Sequence, residues 1–237
     1  MRIDQYLLEK KFVKSRSQAA DLIKRNYILI NGNAVKKAGL EVKSTDQITI
    51  LQKKTFVSRA GEKLDHFLNE INYDITDKVI VDVGSSTGGF TDCVIQRGAK
   101  HVYCFDVGSD QMDRTLSQHH KISLFEKTNI LKAALDPVDL VLIDVSFTSI
   151  LPIVKYVSNF TREIIALIKP QFEVGKGQAK KGIVKQKDLR DKVISNLIEA
   201  FSTFGLKLVD LQESQVIGKK GNQEYFMYLV SKTMTED

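Results

Sequence analysis

Tryptophan is absent from this sequence of 237 residues, and cysteine occurs only twice, as Cys93 and Cys104. Two cysteines cannot form a disulfide framework, and these lack the spacing of a metal site. They read as buried thiols of a chain kept in a reducing cytoplasm. Long apolar runs are missing too: the longest stretches without a charged residue, Asn26 to Val35 and Val145 to Val154, are ten residues each. A membrane-spanning helix needs roughly 20 apolar residues. Met1-Arg2-Ile3-Asp4 opens a mixed-charge amphipathic segment with no apolar signal core. Compositional extremes are also lacking. With 43% hydrophobic and 27% charged residues, the chain is globular, and its length fits one or two domains.

What is present is unevenly distributed. Residues 1–57 hold 12 Lys and Arg against 5 Asp and Glu, a net of +7, while the other 180 residues net −1. A small basic module on a near-neutral larger domain suggests a polyanion-binding appendage; a solvated lysine-rich surface is the alternative. Within the module, Ile3, Tyr6, Leu7 and Leu8 recur at helical spacing. Ser15 and Ser17 offer N-caps for a second helix through Ala19, Ala20, Leu22 and Ile23, and Asn26 suits its exit. Ile28-Leu29-Ile30 before Asn31-Gly32 predicts a strand and a tight turn, and the segment Val42 to Leu51 a further strand.

Beyond a linker expected over residues 58–63, the pattern over 64–237 becomes β-α-β. Val79-Ile80-Val81-Asp82-Val83 runs into Gly84-Ser85-Ser86-Thr87-Gly88-Gly89, and a helix from Asp92 to Arg97 ends at Gly98. His101 to Phe105 ends on Asp106, Leu140 to Ile143 on Asp144, and Glu163 to Ile168 on Lys169; two late strands surround Leu206–Val209 and Tyr225–Val230. This alternation predicts an α/β fold with a doubly wound, mostly parallel sheet and sites at the strand C-terminal ends. The glycine loop lets backbone approach a ligand, and Asp106, 24 residues after Asp82, is placed to bind a ribose diol. The loop does not match G-x-G-x-x-G, so dinucleotide pyrophosphate is a poor fit. Asp144 and Lys169, each ending an apolar strand, would be costly to bury unless paired or used. Individually they have structural explanations, as do Lys63 and Glu224 at the edges of apolar segments.

Several of these segments resemble known families. Ser15 to Ile23 with Ile28 to Gly32 is similar to the alpha-L RNA-binding module, with Asn26 where that module usually has glycine. Asp82-Val83-Gly84 resembles the first motif of S-adenosylmethionine-dependent methyltransferases, and Lys63, Asp144, Lys169 and Glu224 resemble the lysine–aspartate–lysine–glutamate tetrad of ribose 2′-O-methyltransferases. Ser58 to Leu64, Asp82 to Asp92, Leu142 to Phe147 and Leu167 to Glu173 together look like the TlyA/hemolysin-A family over essentially the whole chain, with Ser85 where that family usually has alanine. The resemblance implies a Rossmann-like methyltransferase sheet of the FtsJ kind behind a small N-terminal α+β RNA-binding domain, and 2′-O-methylation of a cytidine ribose in ribosomal RNA. Ribosomal RNA or ribosomal subunits would be the partner, S-adenosylmethionine the cofactor, and no metal or membrane span is expected. It implies cofactor contacts from Asp82, Gly84, Ser85, Ser86, Gly88, Gly89, Phe90, Thr91, Asp106, Asn129 and Asp144. RNA contacts are expected from Arg2, Lys14, Arg16, Lys24, Arg25, Lys36, Arg59, Lys180 and Lys181.

A ribose hydroxyl is a poor nucleophile until its proton is removed or its anion stabilised. Lys169 is expected as the base; a lysine in that role must first shed its own proton, which desolvation and a neighbouring cation favour. Lys63 would stabilise the oxyanion, Asp144 would orient Lys169, and Glu224 would position Lys63. The adjacent His119 and His120 read as solvated loop residues rather than a base or ligands. Residues 175–192 carry seven Lys and Arg and are expected as a mobile basic loop able to clamp an RNA backbone. The competing classes are a membrane-active cytolysin and an inactive RNA-binding assembly factor.

Overall fold

The computed structural model describes residues 1–13, 15–24, 26–51, 56–175, 177–218 and 221–232. The chain divides into two units, Met1–Ser58 and Arg59–Asp237. In the smaller, helices α1 (Ile3–Glu9) and α2 (Arg16–Lys24) pack Ile3, Leu7, Ala19, Leu22 and Ile23 against strand β1 (Ile28–Ile30). Ser15 Oγ accepts the Gln18 amide at 3.1 Å and so caps α2. Asn26 leaves that helix at φ +61°, in the left-handed conformation that asparagine tolerates. Asn31 and Gly32 both have positive φ and turn β1 back onto β2 (Asn33–Ala34), with Ile30 opposite Asn33. The expected strand from Val42 to Leu51 shrinks to β3 (Ile48–Ile50). Its first half is a turn instead, because Asp46 accepts the Lys43 amide at 2.9 Å and Asn31 Nδ2 at 2.9 Å.

The larger unit begins with a correction. Residues 59–63, expected as linker, are the opening turns of α3 (Arg59–Glu70). Leu64, Phe67 and Leu68 form its buried stripe, and that stripe extends the helix back through Ala60 and Lys63. Strands β4 (Val79–Val83), β5 (His101–Phe105), β6 (Ile122–Phe125), β7 (Leu140–Ile143), β8 (Glu163–Ile168), β9 (Leu206–Glu213) and β10 (Tyr225–Ser231) form one sheet in the order β6-β5-β4-β7-β8-β10-β9. The first five are parallel; β10 runs antiparallel to both β8 and β9.

Helices cover both faces. Val81, Val141, Ile164 and Met227 face α6 (Leu151–Val157) and α8 (Lys187–Thr203), which contribute Val154, Val157, Ile194 and Phe201. On the other face lie α3 and α4 (Gly89–Gln96); α4 starts three residues earlier than expected, behind Gly88 at φ +88°. Two short helices, α5 (Arg114–Ser117) and α7 (Pro170–Glu173), follow β5 and β8. Helix α3, which carries Lys63, is fixed in three ways. The Phe67 ring stacks on Phe226 with centroids 4.7 Å apart. Asp65 is bridged by Arg97 at 2.7 Å. Tyr73, just past the helix, donates with Tyr228 and Lys78 to Glu163 at the start of β8.

The Phe67–Phe226–Phe90 stack therefore docks the lysine-bearing helix on the sheet. Phe226→Ala should cost about 3–5 kcal/mol, as for other fully buried aromatics, read as a lower midpoint of urea unfolding.

Candidate active site

All the polar groups singled out at strand ends meet along one edge of the sheet. Asp106 follows β5, Gly84 follows β4, Asp144 follows β7, and Lys169 follows β8. Glu224 joins them from the opposite chain direction. Tyr225 lies opposite Ile168 in the antiparallel pair, so the residue before the one is level with the residue after the other. Two lysine–carboxylate pairs result. Lys63 Nζ lies 2.5 Å from Glu224 Oε2, with side chains 10% and 6% exposed. Lys169 Nζ lies 2.7 Å from Asp144 Oδ1, with side chains 13% and 16% exposed. The second pair is a charge contact rather than an aligned hydrogen bond. The Lys169 ammonium donates instead to Ser146 Oγ at 2.9 Å, and Asp144 Oδ1 accepts no aligned donor among the described residues.

The glycine loop is built around these groups. A Cβ on Gly84, at φ +84°, would lie 2.7 Å from the Asp144 carbonyl oxygen, so β4 and β7 approach closely only with glycine there. At Gly88, at φ +88°, a Cβ would meet Leu116 Cδ1 at 2.6 Å, so that glycine serves the backbone turn and the packing of α5 against it. Gly218 has the same relation to Glu224, whose Oε1 would sit 2.5 Å from an added Cβ. Asp106 organises the loop ends, accepting the Ser86 amide at 2.8 Å and the Gly108 amide at 2.7 Å.

Of the expected cofactor contacts, Gly84, Ser86, Asp106, Asn129 and Asp144 reach the surface of this edge, whereas Asp82, Ser85, Gly88, Gly89, Phe90 and Thr91 are buried. Phe90 belongs to the aromatic stack, and Thr91 donates to Asp82 Oδ2 at 2.6 Å. Asn129 caps a short 3-10 turn, Ile130–Lys132, accepting the Leu131 amide. Asp82 Oδ1 and Ser85 Oγ are buried without a hydrogen-bond partner among the described residues. Burial pushes the Asp82 carboxyl up to about 7, against the Thr91 hydrogen bond, and the nearby Asp144 and Asp106 push the same way.

Four residues at this edge had no role read from sequence. Ser146 holds Lys169. Phe147 is 90% exposed at φ +66°, its ring 5.1 Å from Phe172; an exposed aromatic on a left-handed backbone is costly unless it is used. Glu173 accepts Ser149 Oγ at 2.7 Å and the Ile150 amide at 2.9 Å, tying the segment after β8 to the loop after β7. Burial pushes its carboxyl up despite both donors. Asn222 accepts the Val184 amide at 3.1 Å and donates to the Gly182 carbonyl at 2.8 Å. Ser146, Phe147 and Glu173 lie in segments singled out in the sequence, but their tertiary partners were not visible there, and Asn222 carried no signal.

The basic segment also differs from expectation. Lys187, Arg190 and Lys192 lie in α8, and Lys187 pairs with Asp191 one turn on at 3.1 Å. The part before the helix, with exposed Lys180 and Lys181, is held by Asn222 and by Arg190, which donates to the Val184 and Lys185 carbonyls. It is thus a pinned turn rather than a free loop; Lys176 lies outside the described residues. Arg59 opens α3. In the smaller unit, Lys14 and Arg25 lie outside the described residues, Lys24 is exposed, and Lys36 donates to Asn26 Oδ1 at 2.8 Å. Arg2 and Arg16 both bind the carboxylate of Asp4. His119 and His120 stack on each other 4.7 Å apart, away from the strand-end groups. Among the described residues no group of three or more His, Cys, Asp or Glu could hold a metal, and no helix is long and apolar enough to cross a membrane.

A carboxyl whose native value is raised stays protonated while the unfolded chain ionises, so stability falls between about pH 4, the ordinary aspartate range, and about pH 7, the Asp82 value. Asp82→Asn should remove that fall: its midpoint of urea unfolding should gain on wild type from pH 5 to pH 8. An equal pH dependence in the two proteins would show that Asp82 is ionised throughout.

Comparison with known proteins agrees with this geometry. The profile of the FtsJ-like methyltransferases matches residues 56–231, and that of the S4 domain residues 1–48. Hemolysin A of Brachyspira hyodysenteriae is 37% identical, covering 97% of this chain and all of the relative. The 23S rRNA (cytidine-2′-O)-methyltransferase TlyA of Campylobacter jejuni is 34% identical, covering 97% of this chain and 99% of its own. A solved structure of a candidate hemolysin from Streptococcus thermophilus superimposes with a TM-score of 0.76 at 30% identity, over 98% of this chain and 89% of that one. The parallel sheet, the strand-end tetrad and these full-length matches lead to one conclusion: the chain belongs to the TlyA/hemolysin A family, in which an S4 domain precedes an FtsJ-like methyltransferase domain.

Proposed function

We propose that the protein methylates the 2′-hydroxyl of a cytidine ribose in ribosomal RNA, using S-adenosylmethionine. The observation that carries this reading is the juxtaposition of two lysine–carboxylate pairs at one sheet edge, Lys63–Glu224 and Lys169–Asp144. The relatives named as rRNA (cytidine-2′-O)-methyltransferases support the substrate. The residues present fit the cofactor. Asp106 keeps carboxylate lone pairs for a ribose diol beside a loop that glycines hold open to close approach. Val107, 74% exposed, Phe125 and Leu131 are exposed apolar side chains near Asp106 and Asn129, suited to an adenine face. Asp82 Oδ1 and Ser85 Oγ are buried without a hydrogen-bond partner among the described residues, and both can accept from an ammonium group. When bound, the cofactor supplies an electrophilic methyl on a positively charged sulfur.

The chain's own residues then have distinct tasks. Lys169 Nζ, once it has given up its own proton to solvent, accepts the proton of the 2′-hydroxyl, and Asp144 stabilises the ammonium that forms again. Ser146 aims the amine by its hydrogen bond. Lys63, held by Glu224, lends positive charge to the developing oxyanion in a site shielded from water. Phe147 offers an exposed ring face on which the target base can stack, as bases do on aromatic side chains. The basic surface of residues 1–57 and the pinned Lys180–Lys181 turn supply sequence-independent attraction for the RNA backbone.

Arginine substitutions separate the two lysines. A guanidinium stays protonated and cannot accept the hydroxyl proton, so Lys169→Arg should lower transfer of labelled methyl to ribosomal RNA about a hundredfold or more, with RNA and cofactor binding retained. Lys63→Arg keeps the cation and should lose much less. Near-normal transfer in both variants would remove Lys169 from the role of base.

A further inference from the structure

Among the described residues of the small basic unit, Asp4 is the one buried acidic residue, its side chain 5% exposed. Arg2 already satisfies it with a two-pronged contact, Nε to Oδ1 and Nη2 to Oδ2, both at 3.1 Å. Arg16 nevertheless adds a second guanidinium, with Nη2 2.9 Å and Nε 3.1 Å from Oδ2. A structural counter-ion would need one arginine, and the second leaves a surplus positive charge on the same spot. The two arginine side chains remain 48% and 51% exposed over the buried carboxylate. The contacts with Asp4 use two of the five donors on each guanidinium. The Asp4 carboxylate is itself fixed, since its Oδ1 also accepts the Gln5 amide at 3.0 Å. Burial would push its carboxyl up, but the Arg16 and Arg2 guanidiniums hold it below the usual range.

We propose that Asp4 is a positioning residue for RNA binding, its buried carboxylate holding Arg2 and Arg16 side by side so that their outer N–H edges meet phosphates of the RNA backbone. This rests on the reading of the small unit as the one that engages ribosomal RNA. Arginine matches phosphate by a planar fork, and a fork already held in place loses less freedom on binding. The acidic residue thus raises affinity for a polyanion, against the sign of its own charge.

That sign makes the test decisive. Binding of labelled, protein-free ribosomal RNA to the full chain is measured across a salt series for wild type, Arg2→Ala, Arg16→Ala, Asp4→Asn and the Asp4→Asn/Arg16→Ala double variant. Asp4→Asn adds one unit of positive charge, yet affinity should fall about tenfold and the salt slope should flatten as phosphate contacts are lost. Arg16→Ala should cost less in the Asp4→Asn background than alone, because the two changes remove one arrangement. Unchanged or tighter binding by Asp4→Asn, with weaker binding by the arginine variants, would overturn the proposal and leave RNA recognition by these arginines standing. No effect of either arginine variant would instead remove this face from RNA binding, and the proposal with it. Circular dichroism melts check that the small unit stays folded. Should Asp4→Asn fail that check, Asp4→Glu decides: it keeps the charge and moves the carboxylate by one methylene. Weaker RNA binding then supports positioning, and unchanged binding overturns it.

Discussion

The antiparallel pairing of β10 with β8 is the constraint on which the site depends. In a parallel sheet every strand delivers its C-terminal end to the same edge, and that accounts for Asp106, Gly84, Asp144 and Lys169. A fifth group from a parallel neighbour would arrive only after another crossover helix. Reversing β10 brings the start of a strand to that edge instead, and the register of Tyr225 opposite Ile168 sets Glu224 level with Lys169. Glu224 then reaches Lys63, which enters from α3 on one face of the sheet. The Phe67–Phe226 stack makes the same strand the seat of that helix. One strand therefore places a carboxylate and docks the helix that carries its lysine.

Buried ion pairs are weak sources of stability, because taking two charges out of water costs about as much as their attraction returns. The Lys63–Glu224 and Lys169–Asp144 pairs sit at 16% exposure or less, and neither connects elements that the core leaves unfixed. Asp82 Oδ1 and Ser85 Oγ add buried polar atoms without a hydrogen-bond partner among the described residues. Such a concentration of unfavourable or neutral terms at one edge is expected where a site has to receive a charged ligand and stabilise developing charge. The costs are local; the apolar strands and helices on both faces carry the fold.

Much of this was legible in the sequence, for identifiable reasons. Apolar strands ending on Asp106, Asp144 and Lys169 break the hydrophobic pattern with a charge, and that signal survives without coordinates. The left-handed exit at Asn26 and the Asn31-Gly32 turn follow from local chemistry and are found where expected. What was misread depends on tertiary partners. Residues 59–63 look like a linker because their helical stripe lies in Leu64, Phe67 and Leu68, further along. The strand at Val42 is shortened by Asp46 and Asn31, 15 residues apart. The stretch before α8 reads as a free basic loop until Asn222, 38 and 40 residues away, is seen to hold it. Phe90 and Thr91 sit in a motif associated with the cofactor but point into the core, since α4 begins at Gly89 and turns them inward.

Chemical identity of the product bears most directly on the claim that these paired lysines deprotonate and stabilise a ribose hydroxyl. Ribosomal RNA lacking 2′-O-methylcytidine is incubated with the full chain and S-adenosylmethionine labelled in its methyl group, digested to nucleosides, and analysed by mass spectrometry. The label should appear in 2′-O-methylcytidine and remain with the sugar when the glycosidic bond is cleaved. Label on a nucleobase would contradict the ribose chemistry assigned to the tetrad, and absence of label under conditions where the cofactor binds would contradict the assignment of a methyltransferase acting on this RNA.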